Sequence, residues 1–273
     1  MSQITQGSGS IRSLVLAGLL LLATFFGYGA FAEGAEMTRP TVVLVHGAFA
    51  ESSSWDPVIS RLVPMGYHVI AVANPLRGLK VDAAYLADVL ATIEGPVILV
   101  GHSYGGSVIG EAATGKSNVK ALIYVSGLAP DVGESASDLV GKFPGSTLGP
   151  TLTSVALSNG GKDLYILQKR FHAQFCADLS AQEASRMAAT QRPIVESAFG
   201  EKAADPAWKN VPSWFLYGSL DKNIPPAAHA FMASRAHARE AVEVKGASHV
   251  VMSSHPQALV KLIEEAAAAI SRE

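Results

Sequence analysis

The sequence predicts an α/β fold, a mostly parallel sheet with helices on both faces. Three observations carry this. Short apolar, β-branched runs such as Thr41-Val42-Val43-Leu44-Val45 show no polar alternation, as suits strands buried on both faces. From residue 41 to 126 these runs alternate with amphipathic stretches at helical spacing. After residue 207 the alternation resumes. The 273-residue chain is 49% hydrophobic and 16% charged, enough apolar material for a large core and too little charge for disorder. Net charge is −2 and no Lys/Arg run occurs, so nothing points to nucleic acid.

The elements follow in order. The first strand ends at His46-Gly47. Trp55, Val58, Ile59 and Leu62 mark a helix over 54–63, closed by Gly66. Residues 68–73 form a strand stopped by Asn74-Pro75, and Ala83, Leu86, Val89, Leu90 and Ile93 mark a helix over 82–93. Residues 97–100 form a third strand, 107–113 the next helix and 121–125 a fourth strand. Residues 214–217 and 241–244 read as strands, 226–236 as a helix, and Pro256 opens a last helix to about Ile270.

Two regions stand apart. Residues 1–32 read as an export leader: Arg12, an apolar run from Leu14 to Phe26, and the small-x-small pattern Ala30-Phe31-Ala32. That run is shorter than the ~20 residues of a membrane-spanning helix. Export with cleavage near Ala32 is therefore expected, with an uncleaved membrane tether as the alternative. Residues 128–207 contain no clear buried strand, carry Pro, Gly and Ser over 130–160, and show helix-like stretches near 162–175 and 180–190. They are expected to form a small helical cap inserted between two parts of the core, 33–127 and 208–273. The single cysteine, Cys176, excludes an intrachain disulfide and reads as a packing residue.

The chemistry centres on Gly101-His102-Ser103-Tyr104-Gly105, a G-x-S-x-G pattern between an expected strand and an expected helix. A sharp turn there would present the Ser103 hydroxyl at the sheet edge. A serine needs a base, and the base a carboxylate that orients it. Asp221 and His249 each lie just beyond an expected strand, in the order serine, acid, histidine. Asp131 is the rival acid and His255 the rival base. His102 and His46 are read as structural. Oxyanion donors are expected from the backbone N–H groups of Tyr104 and Ala48. Phe49, Tyr104 and Met252 are candidates for lining a pocket, with core packing the competing role. Arg77 is read as a loop anchor that could instead pair an acidic substrate group.

With these residues in place, Thr41–Phe49, Asn74-Pro75-Leu76-Arg77-Gly78, Gly101–Gly106, Tyr124 to Ser135 and Gly246–Pro256 together resemble the small bacterial α/β-hydrolases that are similar to plant methylesterases and hydroxynitrile lyases. The resemblance covers nearly all of 41–270. It implies the α/β-hydrolase fold, the Ser103–Asp221–His249 set, no metal, no organic cofactor and a small-molecule ester substrate. Lyases of this kind carry Lys directly after the histidine; Val250 stands there, which argues against cyanohydrin cleavage. Carbon–carbon bond hydrolysis and cofactor-free haloperoxidase or perhydrolase chemistry use the same set and stay open. A binding protein on a hydrolase scaffold is the alternative from another class.

Overall fold

A computed structural model describes residues 39–158 and 160–272. The expected leader lies outside the described residues. Among those that are described, no helix is long and apolar enough to cross a membrane.

The main sheet has six strands: β1 (Thr41–Val45), β2 (Val69–Val72), β3 (Val97–His102), β4 (Val119–Val125), β8 (Ser213–Gly218) and β9 (Glu240–Val244). Their order is β2-β1-β3-β4-β8-β9, and every pairing is parallel. The sequence runs explain the placement. β1 and β3 are buried at every position, whereas edge strand β9 alternates between half-buried and exposed. Only strands covered on both faces need a continuous apolar sequence.

Helices join the strands: α1 (Asp56–Leu62), α2 (Leu79–Ala91), α3 (Tyr104–Ala112) and α7 (Pro226–Arg235), with α8 (Val251–Ser254) and α9 (Pro256–Ile270) closing the chain. They pack in two groups, α2 against α3 and α1 with α8 against α9. The strand order accounts for this. The chain steps from β1 outward to β2, then back across to β3, and right-handed crossovers of opposite direction leave helices on opposite faces. The reversal makes a crevice beyond the carboxyl ends of β1 and β3, where open α/β sheets bind ligands. His46-Gly47-Ala48 follows β1 and Ser103 follows β3, so the two candidate segments meet at the crevice.

Between β4 and β8 the structure corrects the expectation of a purely helical cap. Residues 128–207 do contain α4 (Ala136–Gly141), α5 (Gln168–Phe175) and α6 (Ala181–Thr190). They also contain an antiparallel sheet of β5 (Leu152–Ala156), β6 (Lys162–Ile166) and β7 (Ile194–Val195). The helix-like stretch at 162–175 is thus a strand followed by a helix. β5 carries no buried residue, so its sequence lacks the apolar run that marks the core strands. β6 buries Asp163 beside Leu164 and Ile166, and its carboxylate meets Arg77 Nη1 at 2.6 Å. Arg77 Nη2 also donates to the Pro193 carbonyl at 3.0 Å. Arg77 therefore anchors this small sheet to the loop after β2. The described residues, cap region included, fall in one compact unit.

Candidate active site

Ser103 occupies the turn between β3 and α3 with φ 53° and ψ −124°, a conformation that L residues rarely adopt. The backbone is held there from both sides. Ser103 N donates to the Val125 carbonyl at 3.2 Å, and its own carbonyl accepts from Gly106 N and Leu128 N at 2.9 and 3.0 Å. The loop after β1 presses against this turn. A Cβ on Gly47 would stand 2.6 Å from Ser103 Cβ and 3.0 Å from Tyr104 N, so only glycine fits. Among the described residues, neither Ala48 N nor Tyr104 N has a protein hydrogen-bond partner. Two unused donors thus flank Ser103.

Asp221 and His249 come together beyond β8 and β9. A Cβ on Gly218 would lie 2.3 Å from the Ala247 carbonyl, so this glycine lets the two strand ends close on each other. His249 Nδ1 lies 2.7 Å from Asp221 Oδ2, with both side chains fully buried. Asp221 Oδ1 accepts from Asn223 N at 2.8 Å and Ile224 N at 3.0 Å. Burial opposes ionisation of this carboxyl. Attraction to His249 and hydrogen bonds from His229 and His249 outweigh it and hold Asp221 well below the usual carboxylate range. His249 Nε2 is buried and has no partner among the described residues, leaving it free to take a proton. Its ring lies 4.8 Å, centroid to centroid, from that of His102, the residue before Ser103.

The rivals sit elsewhere. Asp131 is partly exposed and paired with Lys209, whose hydrogen bond lowers its pKa. His255 is partly exposed and faces Asp178 at 3.8 Å. His102 Nε2 meets the His249 carbonyl at 3.2 Å, so it braces the backbone that carries His249. His46 Nδ1 meets the Gly47 carbonyl at 2.9 Å and its Nε2 accepts from Asn74 N at 3.1 Å. Burial lowers His46 to about 4, keeping it neutral. Cys176 is buried, and desolvation pushes its thiol up to about 12.

The sequence reading missed one residue. His229, on α7, is fully buried, and its Nε2 reaches the same Asp221 oxygen at 3.2 Å. Its ring stacks on Tyr217 at 5.0 Å. No motif marks it; it stands among alanines in Pro-Pro-Ala-Ala-His-Ala, and Asp221 lies outside its helix, so helical spacing does not link the two.

Residues 42–262 match the model of the alpha/beta hydrolase family. The chain belongs to that family. Among curated alpha/beta hydrolases and their relatives, it is 27% identical to "Probable hydrolase R7" of Phoma sp. over 252 residues, 85% of this chain and 99% of that one. It is 24% identical to "Methylesterase 3" of Arabidopsis thaliana, over 85% of this chain and 97% of the relative. It is also 25% identical to "Alpha-hydroxynitrile lyase" of the same plant, over 80% and 93% of the two chains. Among solved structures, polyneuridine aldehyde esterase superposes with a TM-score of 0.71 at 20% identity, over 83% of this chain and 98% of the other, a likeness of fold.

In this alpha/beta hydrolase, Ser103 opens into a cavity of about 310 Å³. Ala48 and Phe49 contribute from the core, and Val140, Leu148, Leu152 and Phe199 from the segment between β4 and β8. Asn223 and Ile224 complete one wall, and among the described residues no charged side chain lines the space. Of the three pocket candidates, Phe49 lines the cavity. Tyr104 turns away, donating its hydroxyl to Asp82 Oδ2 at 2.9 Å. Met252 is fully buried and does not reach the cavity.

Proposed function

We propose that this hydrolase cleaves uncharged carboxylic esters through an acyl-enzyme on Ser103. The observation that carries the proposal is the buried Asp221–His249 pair, whose remaining nitrogen is unpartnered and whose ring packs on His102, the residue before a serine flanked by two unused N–H donors. Curated relatives that bear esterase names support it.

In this reading His249 Nε2 takes the Ser103 hydroxyl proton as Oγ bonds to the ester carbonyl carbon. The C=O π electrons move onto oxygen, and the N–H groups of Ala48 and Tyr104 hold that charge. Asp221 steadies the imidazolium and sets its tautomer. The C–O bond to the leaving group breaks, and His249 returns the proton to the departing alkoxide. Water then repeats the sequence on the acyl-enzyme, releasing the carboxylic acid and regenerating Ser103. An apolar cavity of this size without charged walls suits a neutral, small to medium-sized moiety.

The test is a series of p-nitrophenyl esters from acetate to octanoate. Hydrolysis by the native chain and a loss of ~10³-fold or more in Ser103→Ala support the reading. Full activity in Ser103→Ala overturns it.

A further inference from the structure

We infer that Asn223 is a specificity-determining hydrogen-bond donor, and that the moiety bound in the cavity beside Ser103 carries an acceptor oxygen, a keto or ether group. The inference rests on the ester-hydrolase reading and narrows its substrate class.

Asn223 is 3% exposed and lines the cavity with Ser103. Its backbone N–H is already given to Asp221 Oδ1. Its side-chain orientation is enforced from behind. Gln174 Nε2 donates to Asn223 Oδ1 at 2.7 Å and to the Lys222 carbonyl at 2.9 Å. Gln174 Oε1 accepts from the Thr147 hydroxyl at 2.9 Å. Rotating the Gln174 amide by half a turn would set its oxygen against two other oxygens, so the network admits one arrangement. Asn223 Oδ1 is thereby committed. Among the described residues Asn223 bonds through its Oδ1 and its backbone N–H and makes no hydrogen bond through Nδ2, so the two amide N–H bonds are what this cavity-lining side chain has left to offer.

A nearly buried donor without a partner favours a ligand that supplies one and penalises a ligand that does not. The other polar side chains on the cavity wall are the hydroxyls of Ser103, Ser137 and Ser146, which rotate to donate or accept. Among the described side chains on this wall, the Asn223 amide is the donor of set direction. With no cation on the wall among the described residues, the complementary group is a neutral acceptor and not a carboxylate.

The experiment titrates Ser103→Ala by calorimetry with methyl hexanoate and with methyl 3-, 4- and 5-oxohexanoate. At least one oxo ester should bind ~10-fold or more tightly than methyl hexanoate. That advantage should shrink to about threefold or less when Asn223→Leu is added. Should the double variant not fold, Gln174→Leu in the Ser103→Ala background, which frees the Asn223 amide to turn, should reduce the advantage as well. No preference for any oxo ester, or a preference that survives these changes, overturns the inference. Hydrolysis assays keep the two readings separate. Ser103-dependent turnover with flat binding removes the Asn223 role alone. An oxo preference without Ser103-dependent turnover removes the ester-hydrolase reading and leaves the donor role standing.

Discussion

His229 and His249 converge on one oxygen of Asp221, at 3.2 and 2.7 Å, inside a part of the protein sealed from solvent. The carboxylate is thus held by two imidazoles on one oxygen and two backbone N–H groups on the other. A buried charge this fully bonded has little freedom to rotate, and networks of this kind hold a reactive geometry better than isolated pairs.

Removing the second imidazole tests that rigidity. His229→Leu keeps approximate size and deletes the bond to Oδ2. A fall in kcat of about tenfold, with KM within about twofold, is expected. His229→Gln keeps a donor and should restore part of the rate. Steady-state kinetics on both variants provide the check; unchanged kcat in His229→Leu would show that the second bond does not matter to turnover.

The Ser103 backbone gives a separate stability test. Its φ of 53° is costly for a residue with a Cβ. Ser103→Gly should be more stable than Ser103→Ala by about 1 kcal/mol, because only the former relieves the conformation. Urea melts of the two inactive variants read this difference directly, and equal midpoints would contradict it.

Gly47 gives the opposite outcome. A methyl group there meets the His102 carbonyl oxygen and Ser103 Cβ, both at 2.6 Å. Gly47→Ala should cost about 1–3 kcal/mol and most of the activity, since the displaced atoms carry the serine. Thermal melting and ester hydrolysis measured side by side should both fall.

Stability should decline in acid. In the unfolded chain His46 and His102 take up protons near pH 6.5. Folded, His46 stays neutral down to about pH 4, and burial with repulsion from His249 keeps His102 well below its ordinary value. The unfolded state therefore binds more protons as pH falls, and folding free energy drops between about pH 6.5 and 4, with His46 alone contributing ~3 kcal/mol. Asp221 acts lower. Its depressed pKa adds stability above the unfolded value of ~3.9 that is lost as pH falls through the folded one. Melting temperatures between pH 7.5 and 4.5 should fall steadily; a flat profile would count against buried neutral imidazoles.

The core was legible because β1, β3, β4 and β8 are buried almost throughout and so must be apolar. Ser103 and Asp221 were legible as candidates because each follows such a strand, and His249 because it follows the short edge strand β9; the parallel sheet gathers strand ends at one edge. β5 was hidden because it is not buried, and β6 because a buried Asp163 on the face opposite Leu164 and Ile166 breaks the apolar run, its carboxylate held by Arg77 86 residues earlier. His229 and the Gln174–Asn223 network were hidden for a related reason. Gln174 meets Asn223 across 49 residues, and His229 meets Asp221 across the irregular segment before α7, and no helix or strand period records either contact.

The central claim, that His249 and Asp221 activate Ser103, is tested most directly by a fluorophosphonate probe followed by mass spectrometry. The expected result is one adduct per chain, mapped to Ser103, absent in Ser103→Ala and slowed by ~10³-fold or more in His249→Ala. A folded native chain that takes up no probe, or labelling that persists in Ser103→Ala, would contradict it.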